Sequence, residues 1–180
     1  MTVVQRSSRR FSSKRIEETA RGLLEASALC ALATVSREGR AYVNTMYFAW
    51  DRELRVVWIS APEAQHSRNL RQNRSAAITV FDSGQKWGGK DRGIQLFGSA
   101  SELGQGRDRA AQETYSARFP AYDPAELGVY GFYRFRPSRI KLFDEEALGP
   151  GVFVTASVKG RGRLEWTRTE VYRSGSRRPG

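Results

Sequence analysis

The sequence predicts a mainly β domain: a small antiparallel barrel of six strands with short helical inserts. Six short runs of β-branched, aromatic and small apolar residues are separated by short turns, and only two stretches carry a convincing helical period. Strands joined by tight reversals are antiparallel, whereas parallel pairs need a crossover of helix length. Closure into a barrel removes the edges that six strands would otherwise expose.

Residues 1–15 are Ser- and Arg-rich without periodicity, the composition of a solvated basic tail. Ile16, Ala20, Leu23, Leu24 and Ser27 then fall at helical spacing with Glu17, Glu18, Arg21 and Glu25 opposite, which predicts an amphipathic helix whose acidic first turn suits the helix dipole. Strands follow at 30–36, 41–50 and 54–60, with reversals at 37–40 and 51–53, as a three-stranded meander. Residues 64–73 read as a helical turn, 76–81 as a fourth strand and 82–92 as a polar, Gly-rich loop. A fifth strand covers 94–103, where Gly98 signals a bulge or a close backbone approach. Residues 106–118 read as a helix ended by Phe119-Pro120, and the last strand, 130–143, is broken by Pro137. The domain is therefore expected over 16–159, between basic tails at 1–15 and 160–180.

The alternation within 41–50 bears on function. Tyr42, Asn44, Met46 and Phe48 take one face, Val43, Thr45, Tyr47 and Ala49 the other. Neither face is purely polar, so the strand is expected to be covered on both sides, by core on one and by a partner chain or ligand on the other.

A chain of 180 residues fits one domain. Its 30 Lys and Arg against 19 Asp and Glu give a net charge of +11, which raises nucleic acid or another polyanion as a partner. Residues 1–15 carry +5 of that and residues 160–180 carry +4, which leaves only +2 on the expected domain. The N-terminal arginines read as a solvated tail rather than a nucleic-acid arm. One cysteine, Cys30, excludes an internal disulfide or a Cys-based zinc cluster and reads as packing. No apolar run is long enough to span a bilayer and no secretory signal is visible, so a cytoplasmic location is expected. P-loop, GxGxxG, GxSxG and HExxH motifs are absent. With one His and one Cys the catalytic repertoire is thin; no catalytic residue is assigned, and an enzyme built this way borrows its chemistry from a cofactor.

The succession ATVSREGRAYVNTMYFAWD, LRVVWIS, AQHSRNLRQN and RGIQLFGSA resembles the FMN-binding split barrel of the pyridoxamine 5′-phosphate oxidase-like superfamily over 23–103. The later segments YSARFP and RPSRIKLFDEEALG resemble a short bacterial branch of it. The resemblance implies a homodimer with two flavin sites at its interface, acting as an oxidoreductase or flavin reductase on a small molecule. Val43, Asn44, Thr45, Met46 and Tyr47 would lie at the ring. Ser60 would meet the phosphate, with Gln65, His66, Arg68 and Asn69 close by, and Gln95 would face the flavin. Arg163 and Arg168 are candidates to reach a phosphate at the interface. Oxidases proper carry an Arg and a Lys on the second strand, where this chain has neither. Their C-terminal Arg-Leu-His-Asp-Arg pattern is here only Arg163-Leu164-Glu165-Trp166-Thr167-Arg168, which puts pyridoxamine phosphate oxidation in doubt.

Two alternatives stay open within the resemblance: a deazaflavin in place of FMN, and haem with His66 as axial ligand, since some relatives bind haem. Against the haem role, a lone His is more simply a hydrogen-bonding or phosphate-binding group. Trp50 and Trp58 flank a hairpin and read as packing, as do Tyr115 and Phe119 at helical spacing. Trp87 stands in a flexible loop, either closing over a ligand or docking on its own barrel. A binder of polyanions through the tails, without catalysis, is the remaining class.

Overall fold

A computed structural model describes residues 2–103, 108–123 and 129–174. The strands are β1 (Thr2–Ser7), β2 (Leu29–Val35), β3 (Ala41–Tyr47), β4 (Ala49–Trp50), β5 (Val56–Ser60), β6 (Ser75–Phe81), β7 (Arg92–Glu102), β8 (Gly131–Asp144), β9 (Val152–Val158) and β10 (Leu164–Ser174). The helices are α1 (Ser13–Glu25), α2 (Gln65–Gln72) and α3 (Arg109–Arg118). The pairings are antiparallel in the order β1-β10-β9-β8-β7-β6-β2-β3, with β5 branching from β8 and β4 from β5. All six predicted strands are present.

The second predicted strand divides. At Phe48 the chain turns inward, burying that ring completely and directing its N–H to the Ala28 carbonyl at 3.3 Å. β3 therefore stays on β2 while β4 crosses to β5, and the expected continuous meander is broken there. The barrel is consequently not closed. Among the described residues β3 pairs only with β2, so one side of its backbone is an open edge, against the expectation that closure would remove edges.

The basic ends are also corrected. Thr2–Ser7 and Leu164–Ser174 form a two-stranded ladder with each other, and β10 continues onto β9, a strand absent from the sequence-based expectation. Arg9 donates to the Leu148 carbonyl at 2.8 Å, Arg15 to the Ala147 carbonyl at 2.8 Å, and Arg10 lies over the Trp166 ring at 4.8 Å. Ladder bonds and these tethers offset the ordering entropy that composition alone counts against a tail. The polyanion-binding reading, which rested on free tails, loses that basis over residues 2–15 and 160–174; residues 175–180 of the expected C-terminal tail lie outside the described residues.

Helix α1 begins three residues earlier than predicted, where the Ser12 hydroxyl accepts from the Arg15 N–H at 3.2 Å. Its first turn carries no acid, so the cap rather than Glu17 and Glu18 satisfies the end. Ile16, Ala20, Leu23 and Leu24 are buried against the sheet. The predicted helix over 106–118 is present as α3, its first expected turn partly outside the described residues.

Pro137 does not break β8. The strand is flanked by β5 at Val56–Ser60 and by β9 at Arg139–Phe143, and Pro137 falls between those two contacts, where its missing N–H deprives no neighbour on that side. Opposite it the register shifts between Phe97 and Gly98, and a side chain on Gly98 would collide with the Arg136 carbonyl. We expect Gly98→Ala to destabilise the fold by about 1–3 kcal/mol. Gly22→Ala, on the exposed face of α1 with no atom near the new methyl, should stabilise it by about 0.5–1 kcal/mol. Chemical denaturation of the two variants reads both signs; equal effects would deny the close approach at Gly98.

The core lies between α1 and the inner faces of the strands, around Leu32, Phe48, Trp58, Ile94, Tyr133 and Phe135. The outer side of β3 is bare by contrast: Val43 is 73% and Tyr47 58% exposed. In the single chain the strand is covered on one side only. Among the described residues no helix is long and apolar enough to cross a membrane.

Candidate functional site

A cleft of about 420 Å³ opens where β3, the end of β5, the start of α2 and the flank of α3 meet. Its floor is Asn44 to Tyr47, its far wall Trp58, Ile59 and Ser60, and its other sides Ala61, Ala64, His66, Tyr115 and Tyr130. Asn44 and Met46 point inward opposite Leu32 and Cys30 of β2, while Thr45 and Tyr47 face out. Six of the sequence-predicted residues, Asn44, Thr45, Met46, Tyr47, Ser60 and His66, therefore come together.

The other five are placed elsewhere. Val43 and Gln95 share a separate hollow of about 300 Å³ on the outer face of the sheet, with Ala31, Ala33, Ala77, Thr79 and Phe97. Asn69 is buried, and its Nδ2 donates to the Thr34 hydroxyl at 3.0 Å. Gln65 donates to Asn69 at 2.9 Å and accepts from Arg68 at 3.0 Å, so the three form a chain of hydrogen bonds that fixes α2 to β2. Gln65 and Arg68 are exposed. Arg163 and Arg168 pair with Glu165 and Glu170 of β10, at 2.8 and 3.5 Å.

The start of α2 sets the polarity of one end of the cleft. Its N-cap is Ala64, in the extended conformation normal for a cap but with no side chain to accept a hydrogen bond. The first backbone N–H groups of the helix are thus without an intrahelical or side-chain acceptor, beside Ser60 and next to the cleft. Such an end attracts anions.

The rest of the lining is aromatic. Trp58 stacks on Tyr133 at 5.4 Å and 16°, and His66 meets Tyr133 edge-on at 6.3 Å. Tyr115 contacts Phe119, which in turn meets Tyr47 edge-to-face at 5.8 Å, so α3 closes one side with rings. Burial raises the Tyr115 hydroxyl's pKa above its ordinary value, with Tyr122 and Tyr47 adding to it. Tyr115 and Tyr130 are lining groups that the sequence does not single out. Helical spacing identifies Tyr115 as buried but not the cleft it is buried beside.

His66 is only 7% exposed and its Nε2 has no hydrogen-bond partner, and neither has the Trp58 Nε1. Desolvation lowers its pKa, so the imidazole is held neutral. The unfolded chain therefore binds this proton more readily than the folded one between the depressed pKa and the ordinary value of about 6.5. Stability is fully present above that value and falls as pH drops below it. Thermal melts from pH 7.5 to 5.5, roughly one unit on either side of it, should show that loss, reduced in His66→Gln. As His66 is the sole histidine in the chain, its proton resonance titrates without overlap; a midpoint at or above the ordinary value would contradict the assignment.

The remaining singled-out residues are simpler. Cys30 is buried and its thiol is pushed up to about 12, which keeps it protonated. Trp50 is half-buried under Arg21, and Trp166 donates to Thr169 at 3.0 Å. Trp87 is fully exposed and docks on none of the described residues. Among the described residues no group of three or more His, Cys, Asp or Glu is placed to hold a metal ion.

An open antiparallel barrel, split where β8 passes from β5 to β9, with an aromatic cleft on its edge strand, defines the class as a split-barrel protein. The family model for pyridoxamine 5′-phosphate oxidase matches residues 16–144, and the chain belongs to that family. Among curated proteins none matches significantly. Solved structures do. The protein Atu2129 of Agrobacterium tumefaciens, of unknown function, aligns at a TM-score of 0.61 with 22% identity over 74% of this chain, which spans only 58% of that one. An F420 reductase aligns at 0.52 with 25% identity, covering 66% of this chain and 93% of its own. A heme binding protein from Mycobacterium smegmatis aligns at 0.57 with 15% identity, covering 90% and 88%.

Proposed function

We propose that the chain is an FMN-dependent oxidoreductase or flavin reductase, acting on a small molecule in the cytoplasm, with its flavin held where two copies meet. One observation carries this reading: an edge strand with a free backbone side, a terminal hydroxyl and an uncapped helix end converge on a single aromatic cleft. A flavin mononucleotide needs those three things, since it is a flat ring with a polar edge joined to a phosphate dianion. The free side of β3 offers N–H and C=O groups to the ring edge, Met46 and Tyr47 offer apolar surface, and Ser60 with the start of α2 offers donors to the phosphate. When bound, the flavin supplies hydride or electron transfer. The chain supplies orientation and, through Tyr115 and Trp58, exclusion of water. The bare outer side of β3 gives a second copy an apolar surface beside the cleft, and the hollow at Val43 and Gln95 would then be reached from the partner.

A deazaflavin presents the same ring outline, and an F420 reductase is among the similar structures. Haem is the second reading. It is favoured by the neutral imidazole of His66 at the cleft and by the likeness to a heme binding protein over most of the chain. The absorption spectrum of the protein as purified, and after incubation with FMN, F420 or haemin, separates the three. Flavin absorbance retained through gel filtration is expected. A Soret band lost in His66→Ala would replace the flavin reading with the haem one, and failure to retain any of the three would overturn both.

A further inference from the structure

At the opposite end of the sheet a further cavity of about 240 Å³ lies over β8, β9 and β10. Three rings from those adjacent strands form one wall: Phe143 packs on Phe153 at 5.1 Å, and Phe153 on Tyr172 at 4.4 Å. Gly93 of β7 makes room for this, since a methyl group there would fall 2.7 Å from the Phe143 ring. The rim is acidic. Glu145 is held in place through both carboxylate oxygens, accepting from the N–H of Gly151 at 3.0 Å and of Asp91 at 3.4 Å. The Asp91 carboxylate itself has no partner among the described residues.

That neither of these acids pairs with a base among the described residues is unusual in so basic a chain. Their neighbours are each paired: Asp144 with Arg92 at 3.2 Å, Glu146 with Lys90 at 3.7 Å and Glu170 with Lys141 at 2.8 Å. The ring wall already attracts one cation. The Lys141 ammonium lies 5.0 Å from the Phe153 centroid and 5.6 Å from that of Tyr172, but Glu170 neutralises it and it does not line the cavity. What remains is a pocket whose lining combines three aromatic rings with two carboxylates that no cation pairs among the described residues, the combination that selects an alkylated ammonium over an anion or a neutral molecule.

We propose that this cavity binds a small organic cation with an alkylammonium head. The proposal is independent of the cleft and of any cofactor there. Choline is the probe, titrated into the full chain at constant ionic strength and followed by backbone amide shifts, with 3,3-dimethylbutan-1-ol as its uncharged isostere. Saturable shifts confined to the amides around Asp91, Gly151, Phe153 and Tyr172 are expected, with the alcohol at least about tenfold weaker. Asp91→Asn should weaken choline by roughly three- to thirtyfold, as should Phe153→Leu, which keeps the apolar volume and removes the ring. If Phe153→Leu fails to fold, Asp91→Asn decides, because its side chain makes no contact the fold depends on. Equal binding of choline and the alcohol, an unchanged Asp91→Asn, or no saturable shift at these amides would each overturn the proposal.

Discussion

Ala64→Asp is expected to make the protein more stable and its FMN affinity at least about tenfold poorer, two effects of opposite sign from one side chain. Ala64 already has the backbone conformation of an N-cap and lacks only the acceptor. An aspartate there would accept from the first N–H groups of α2 and place a negative charge at the positive end of the helix, a gain of about 1 kcal/mol. For a chain of this size that is a rise in Tm of roughly 2–4 °C. The same N–H groups are those assigned to the phosphate, so the carboxylate would both occupy and repel it. Riboflavin, which has the ring without the phosphate, should bind the variant as it binds the parent. Equal losses for FMN and riboflavin would show that the new carboxylate disturbs the ring site instead, and no loss for either would remove the phosphate from the start of α2.

The second large effect is expected at Val43→Asp. The side chain is mostly exposed in the single chain, so the fold should keep its melting temperature. In a two-fold dimer covering this strand, each assembly would bury two unpaired carboxylates, at about 3 kcal/mol or more apiece. The parent should sediment as a dimer and the variant as a monomer at the same concentration, with flavin retention lost alongside. A parent that is monomeric while holding flavin would refute the shared site. A Val43→Asp variant that remains dimeric would move the interface off β3.

Period-two alternation and turn chemistry make most of this fold legible. The six strands from 30 to 143, helices α1 and α3, and α2 as a helical turn follow from local patterns that burial then enforces, as in the inward Cys30, Leu32 and Thr34 of β2. The misses have one cause. Whether Ala41 to Trp50 is one strand or two depends on where Phe48 finds core, and whether Thr2–Ser7 is a tail or a strand depends on β10 lying beside it, and neither neighbour is close in sequence. The candidate site divides the same way. Asn44 to Tyr47, Ser60 and His66 sit on consecutive elements of the barrel and are visible in local motifs. Tyr115 arrives from a helix about fifty residues further on, and the missing cap at Ala64 matters only because the end of β5 points at it. Asn69, whose polar type suggests a ligand, instead spends its amide on Thr34.

The placement of β8 fixes how the molecule comes apart. Because β8 is bound to β7 along nearly its whole length and also to β5 near its start and β9 near its end, neither half-sheet can open without breaking a ladder in the other. Its amides at Tyr133, Phe135, Ile140 and Leu142 should exchange with solvent only through global unfolding, while β1 and β3, each with a single neighbour among the described residues, exchange through local opening. The strand proposed as the bed of a cofactor is thus also the one whose protection a bound partner would raise most.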